Sequence, residues 1–156
     1  MQLEDFSLIG NCQYSALVRN NGEVAWCCLP RFDADPVFGS LLDPEAGSFK
    51  IAPASGAVGQ QRYLENTNVL ETRFHTPEGS FRVLDFAPRF RLFDRMFRPT
   101  KLVRIVEPLS GTPRITVHCD PRLGFSKERP RTEAGSHHIS YAGFASELRL
   151  TTDAPI

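Results

Sequence analysis

The sequence Asn20-Asn21-Gly22 lies between two alternating segments, and it restricts the fold of this chain more than any other feature. Apolar and polar residues alternate over 13–19 and again over 23–29, which is the period of a β-strand. An Asn-Gly step supplies the positive φ angles that a tight hairpin requires. The pattern predicts an antiparallel hairpin whose second strand is apolar on both faces and lies centrally in a sheet.

The same rhythm continues along the chain and predicts an all-β, antiparallel β-sandwich of the supersandwich type. A second hairpin is predicted around Pro77-Glu78-Gly79. The chain holds 12 prolines, and its short alternating segments are separated by Gly and Pro. The remaining predicted strands cover 48–52, 61–64, 69–76, 80–86, 102–108, 114–119, 138–141 and 147–152.

Two segments have helical rather than strand spacing. Residues 37–42 predict a helical turn or two that plugs one end of the sandwich. Over 89–101, Phe90, Phe93 and Phe97 follow an i, i+3, i+7 pattern among arginines, which predicts a short basic amphipathic helix. Its phenylalanines are expected to pack on the sandwich or on another domain.

Composition bounds the possible partners. The 156 residues suit a single domain, and 18 basic residues balance 18 acidic ones. This balance gives no general electrostatic case for nucleic acid or for a membrane surface. No apolar run is long enough to span a bilayer, and the start MQLEDFSLIG lacks the basic and apolar regions of a secretory signal. A cytoplasmic location is therefore expected.

Metal binding and cofactors are not indicated. The four cysteines show no C-x-x-C spacing, and Cys27 and Cys28 are neighbours on one strand, so their side chains point to opposite faces. His137 and His138 have the same geometry and no third ligand in register. We expect free buried thiols, a solvated histidine turn and no cofactor.

The segment 10–43, GNCQYSALVRNNGEVAWCCLPRFDADPVFGSLLD, resembles the N-terminal β-sandwich domain of bacterial glycoside hydrolases of family 15, the glucoamylase and trehalase-like proteins. Two later segments resemble that family in the same order, namely RYLENTNVLETRFHTPEGSFRVLDFAPR and LVRIVEPLSGTPRITVHCDPRLGF. The sequence departs from the family pattern at Ala34-Asp35-Pro36, at Pro113 and at Leu123-Gly124-Phe125.

The resemblance implies that residues 1–156 are a single non-catalytic N-terminal sandwich that packs on a helical (α/α)6 catalytic barrel absent from this chain. The parent enzyme would hydrolyse an α-glucosidic bond, in an α-glucan or in trehalose, by inversion through two glutamates of that barrel. Family sandwiches continue past 148–152, so we expect an unpaired edge strand and a homo-oligomer formed through it. The alternative is an independent carbohydrate-binding or assembly module.

The candidates for an interdomain contact or a substrate rim are Trp26, Arg31, Phe32 and Asp33. A strand closed by Pro30 carries these last three residues on a loop held by a rigid sheet. Arg31 and Asp33 either reach into the mouth of the barrel to bind sugar hydroxyls, or pair with each other and cap the turn near 37. Trp26 either stacks on a sugar or belongs to the core.

No catalytic residue is assigned. Glycoside hydrolysis needs two carboxylic groups on opposite sides of the sugar, one with a raised pKa. Asp85 is the most enclosed acid by pattern, and we expect Arg82 or Arg73 to hold it in a structural ion pair. The chain also lacks a G-x-S-x-G elbow, an H-E-x-x-H motif and a phosphate-binding loop, which argues against an independent hydrolase.

Overall fold

Two antiparallel sheets face each other and enclose the core, as the alternating pattern predicts. The computed structural model describes residues 2–154. One sheet has the order β1-β2-β3-β5-β12, with β4 on β3, and the other has the order β11-β8-β7-β6. The strands of these two sheets are β1 (Phe6–Gly10), β2 (Ser15–Arg19), β3 (Glu23–Cys28), β4 (Pro36–Phe38), β5 (Ser48–Pro53), β6 (Gln60–Tyr63), β7 (Leu70–Thr76), β8 (Gly79–Phe86), β11 (Val103–Gly111) and β12 (Ile115–Asp120).

Two smaller sheets accompany the sandwich. A hairpin is formed by β9 (Phe90–Leu92) and β10 (Arg95–Phe97), and a three-stranded sheet is formed by β13 (Arg131–Ala134), β14 (His138–Ala142) and β15 (Leu148–Thr151). The helical content of the described residues is one 3₁₀ turn, Leu3–Asp5. No helix in residues 2–154 has the length and apolarity needed to cross a membrane.

The β2–β3 hairpin forms where the Asn-Gly step predicts it, although its turn differs in detail. Gly22 donates its N–H to the Arg19 carbonyl at 2.9 Å. Gly22 has φ +81°, and of the three turn residues it alone has a positive φ. The register shifts between Leu17 and Val18, and such a bulge reverses the faces that follow it. The core therefore contains Val24 and Cys27 but not Trp26.

The two segments predicted to be helical contain strands and turns instead, so both helix predictions are wrong. Residues 36–38 pair with β3, and the chain then turns, with the Leu42 N–H donating to the Gly39 carbonyl at 3.0 Å. Val37 and Phe38 join the core. The segment 89–101 contains the β9–β10 hairpin instead of a helix.

A buried ion pair links the two sheets. Arg104 on β11 donates to both carboxylate oxygens of Asp85 on β8, at 2.7 and 3.2 Å. The same guanidinium donates to the carbonyls of Phe49 and Gly22, each at 2.7 Å. Since Gly22 and Phe49 belong to the opposite sheet and its turn, this one side chain joins the two layers. The prediction that Arg82 or Arg73 would pair with Asp85 is wrong.

Candidate functional site

The loop that follows β3 presents Arg31, Phe32 and Asp33 to solvent. Arg31 donates from Nε and Nη2 to the two oxygens of Asp33, at 2.9 and 3.0 Å. That hydrogen bond lowers the pKa of the Asp33 carboxyl. Phe32 is 66% exposed between the paired charges. The two charged residues thus pair with each other, as one interpretation predicted, and no helix is present for Asp33 to cap.

Two polar side chains from the β1–β2 connection tie this loop to the segment that carries the hairpin. Gln13 donates through Nε2 to the Pro30 carbonyl at 3.4 Å and to the Thr100 hydroxyl at 3.0 Å. Asn11, which is fully buried, donates through Nδ2 to the carbonyls of Pro88 and Pro99 at 3.2 and 3.1 Å. The loop at 31–33 and the segment that carries the β9–β10 hairpin are therefore held next to each other. No pattern in the sequence predicts these hydrogen bonds.

The hairpin itself is an exposed apolar projection, which we call the apolar hairpin (residues 90–97). Phe90 and Phe97 are cross-strand partners whose rings stack at 5.6 Å between centroids. Phe93 and Asp94 form the turn with φ +47° and +58°, and Phe93 is 89% exposed at the tip. Arg91 donates to Asp94 at 2.7 Å. Contiguous exposed apolar groups are typical of interaction sites.

A cavity of about 600 Å³ lies beside the loop. Pro30, Ala34 and Asp35 of the loop line it, together with residues of β14 and β15. Burial raises the pKa of Tyr141, with the neighbouring Cys119 adding to the effect. The lining of the cavity combines four aromatic side chains with two acids and two bases, namely Phe38, Phe49, Tyr141, Phe144, Asp35, Glu147, Lys101 and Arg149.

Trp26 lies outside the core cluster and is half-buried, contrary to the interpretation that placed it in the core. Its nearest aromatic neighbour is Phe125, at 6.4 Å between ring centroids with the planes tilted by 47°. Gly124, next to Phe125, lies against Asp35. Trp26 is thus near the loop but belongs to a separate aromatic contact.

The buried carboxylates are held in ion pairs and are unsuited to proton transfer. Asp85 is enclosed with Arg104. Glu71 on β7 is fully buried beneath Arg62, Arg73 and Arg82. Burial by itself would raise the pKa of the Glu71 carboxyl, but hydrogen bonds from Arg62 and Arg73 outweigh it and lower the pKa to about 2. A general acid needs the opposite shift.

The cysteines are reduced thiols in differing environments. Cys27 and Cys28 are buried, Cys119 is half-buried and Cys12 is exposed, so the expectation of buried thiols does not hold for Cys12. Burial raises the pKa of Cys27 to about 12 and that of Cys119 to about 11. Within residues 2–154, no group of three or more His, Cys, Asp or Glu side chains is arranged to hold a metal ion.

A sequence model described as trehalase-like, N-terminal matches residues 1–153. The chain belongs to this family. Among the curated relatives, it is 30% identical to a trehalase of Mycolicibacterium smegmatis over 80% of its own length and 21% of the relative. It is 30% identical to a trehalase of Mycobacterium tuberculosis, with 99% and 26% covered, and 29% identical to one of Thermoplasma volcanium, with 99% and 25% covered.

The family member described here thus spans about a quarter of the length of these curated relatives. No solved structure matches it significantly. The family match and the two facing sheets together identify an N-terminal trehalase-like β-sandwich domain.

Proposed function

We propose that this chain is the non-catalytic N-terminal domain of a cytoplasmic glycoside hydrolase of family 15 that cleaves α-glucosidic bonds. The observation that carries the proposal is the end surface made of the Arg31–Asp33 loop and the apolar hairpin. Phe32 and Phe93 stand in solvent, and the segments that carry them are tied to the sandwich at Pro30 and Pro88 by Gln13 and Asn11, which suits docking against a second domain.

The partner of this surface is a helical catalytic domain of the same enzyme. Apolar groups of the hairpin would pack on helix faces, while its arginines would contact acidic residues around them. The loop between the hairpin and the cavity would then lie at the rim of the active site. In that position Arg31 could exchange its contact with Asp33 for substrate hydroxyls or for a catalytic loop.

Catalysis in this proposal belongs to the helical domain. It would supply a general acid and a general base for an inverting displacement, separated by about 6.5 to 9.5 Å to admit water. The curated relatives carry the name trehalase, which makes trehalose the first substrate to assay, with maltooligosaccharides second. The sandwich would contribute stability and one part of the rim.

Glucose release from trehalose and maltotetraose tests the division of labour. The 156-residue chain should release none, whereas the product of the complete coding frame should release glucose from one of the two. Activity of the short chain alone would refute the non-catalytic assignment. A coding frame that stops after residue 156 would remove the partner domain.

Variants of the longer enzyme test the surface. Phe93→Asp should lower its melting temperature, because an acid would be buried at the interface, while Leu3→Asp at another exposed apolar site should not. Replacing Arg31 and Asp33 together with alanine should lower kcat/KM. Unchanged kcat/KM and melting temperature in that double variant would rule out a role at the rim.

The cavity supports a second candidate, an independent carbohydrate-binding module. Its aromatic and acidic lining is the kind of surface on which sugars stack and donate hydrogen bonds, although the lining includes no Asn or Gln. Titration calorimetry of the isolated chain with trehalose and maltotetraose separates the two functions. Saturable binding that Tyr141→Ala abolishes would favour the module over the docking domain.

A further inference from the structure

One side of the sandwich leaves part of its core exposed. It is formed by β11 and β12, each the last strand of its sheet. Val106 lies opposite the buried Val83, and Val117 lies opposite the buried Ile51. Residues directly opposite each other in an antiparallel pair share a face, so both valines point toward the core side. They are nevertheless 37% and 59% exposed.

The outer edge of β12 carries unpaired backbone groups. The Ala54 N–H donates to the Arg114 carbonyl at 2.9 Å, which identifies a hydrogen-bonded position beside β5. Because such positions alternate, Ile115, Val117 and Cys119 point their N–H and C=O groups away from the sheet. Residues 115–120 contain no proline, lysine or bulge, the features that usually protect an edge.

Other long edges of the same sandwich are protected. On β1, the Leu8 N–H donates to the Tyr63 hydroxyl at 3.0 Å, and that hydroxyl donates to the Leu8 carbonyl at 2.7 Å. The Asn68 side chain donates to the Gly10 carbonyl. On β11, Pro108 and a bulge interrupt the ladder. Among these edges, β12 alone is regular and uncapped over the described residues.

The sequence of β12 is complementary to itself. An antiparallel pairing centred on Val117 places Ile115 opposite Cys119 and Thr116 opposite His118. The same register places Arg114 of one copy opposite Asp120 of the other. Arg114 makes no ion pair within residues 2–154. The Asp120 side chain is partly exposed; its Oδ1 already pairs with Arg122 and Arg129, so Arg114 of the other copy would approach Oδ2, which lies 4.0 Å from His118 Nε2. Opposite charges across strands favour such a register.

We propose that two copies of this chain associate through β12, antiparallel about a two-fold axis at Val117, so that one sheet continues across both. The proposal does not depend on the enzyme function above. A homo-oligomer formed through an unpaired edge strand is what the sequence leads us to expect, and β12 is that edge. The interface is isologous, the common form for homodimers.

Sedimentation velocity on the 156-residue chain at tens of micromolar tests the association. We expect a species of twice the 17.5 kDa chain mass. Val117→Lys should give a folded monomer, because it places two like charges together on the axis. Val58→Lys is the matched control at a valine that is 67% exposed elsewhere, and it should remain dimeric. A monomeric wild type, or a Val117→Lys variant that stays dimeric, overturns the proposal.

A cross-link tests the register without relying on a disruptive change. Hydrogen-bonded partners in an antiparallel pair have Cα atoms about 5.5 Å apart, which a disulfide spans. In a Cys12→Ser background, Val117→Cys should form a covalent dimer on mild oxidation. Val58→Cys should not. Equal cross-linking of the two variants, or none at position 117, contradicts the two-fold pairing at β12.

Discussion

Replacing Asp85 with alanine should destabilise the domain severely, because it leaves Arg104 charged and enclosed. The side chains are 0% and 2% exposed. Of the four hydrogen bonds that the guanidinium makes, two go to Asp85 and two to the carbonyls of Gly22 and Phe49. The alanine variant keeps only the carbonyl contacts, which carry no compensating charge.

Removing one partner of a buried ion pair costs about 3–5 kcal/mol. For a domain of this length, each kcal/mol lowers the melting temperature by about 2–4 °C, so a fall of about 6–20 °C is expected. Asp85→Asn retains an acceptor for Arg104 and should lose less. Replacing both residues, Asp85→Leu with Arg104→Met, should recover part of the loss because no unpaired charge then remains.

Urea unfolding followed by circular dichroism measures these free energies. Asp33→Ala is the matched control, since it breaks a bidentate Arg–Asp ion pair that lies in solvent. The urea midpoint of this variant should match that of the wild type. A loss below about 1 kcal/mol for Asp85→Ala would refute the reasoning. So would a double replacement less stable than the alanine variant.

Three further results are expected. As pH falls from about 4.5 to about 2, the stability that ionised Glu71 contributes should disappear, because the pKa of Glu71 in the folded state lies below its ordinary value. The melting temperature of Glu71→Gln should not show this part of the pH dependence. Gly22→Ala should cost more than Gly56→Ala in urea unfolding, since both have positive φ but only the first places a Cβ 2.0 Å from a carbonyl oxygen. Mass spectrometry after brief iodoacetamide treatment at pH 7.5 should find Cys12 modified and Cys27 protected, with equal labelling refuting the buried assignment.

Local turn chemistry explains which strands were predictable. The β2–β3 and β7–β8 hairpins contain Gly22 and Gly79, both with positive φ, and alternation on either side marked their strands. The pairing of β5 with β12 joins residues far apart in sequence, and nothing local specifies it. The partner of Asp85 was missed for the same reason, because Arg104 is its cross-strand neighbour on β11.

The apolar hairpin shows how a helical period can mislead. Phe90 and Phe97 are seven residues apart, which fits two turns of a helix. A two-residue turn also makes residues seven apart direct partners when three residues lie on each strand, as the Phe90–Phe97 pairing shows. Phe93 and Asp94 adopt the positive φ values that a glycine would have signalled. The spacing of the phenylalanines alone therefore could not distinguish a helix from a hairpin.

The two proposed contact surfaces lie toward opposite ends of β3 and share no residue. The Arg31–Asp33 loop follows Cys28 at the end of that strand, while Glu23 at its start pairs with Lys50 beside Ile51. Val117 is the partner of Ile51 across β5 and β12. A strand of this length spans about 20 Å, so the loop and Val117 belong to separate patches of the surface. Substitutions at one patch should therefore add to substitutions at the other.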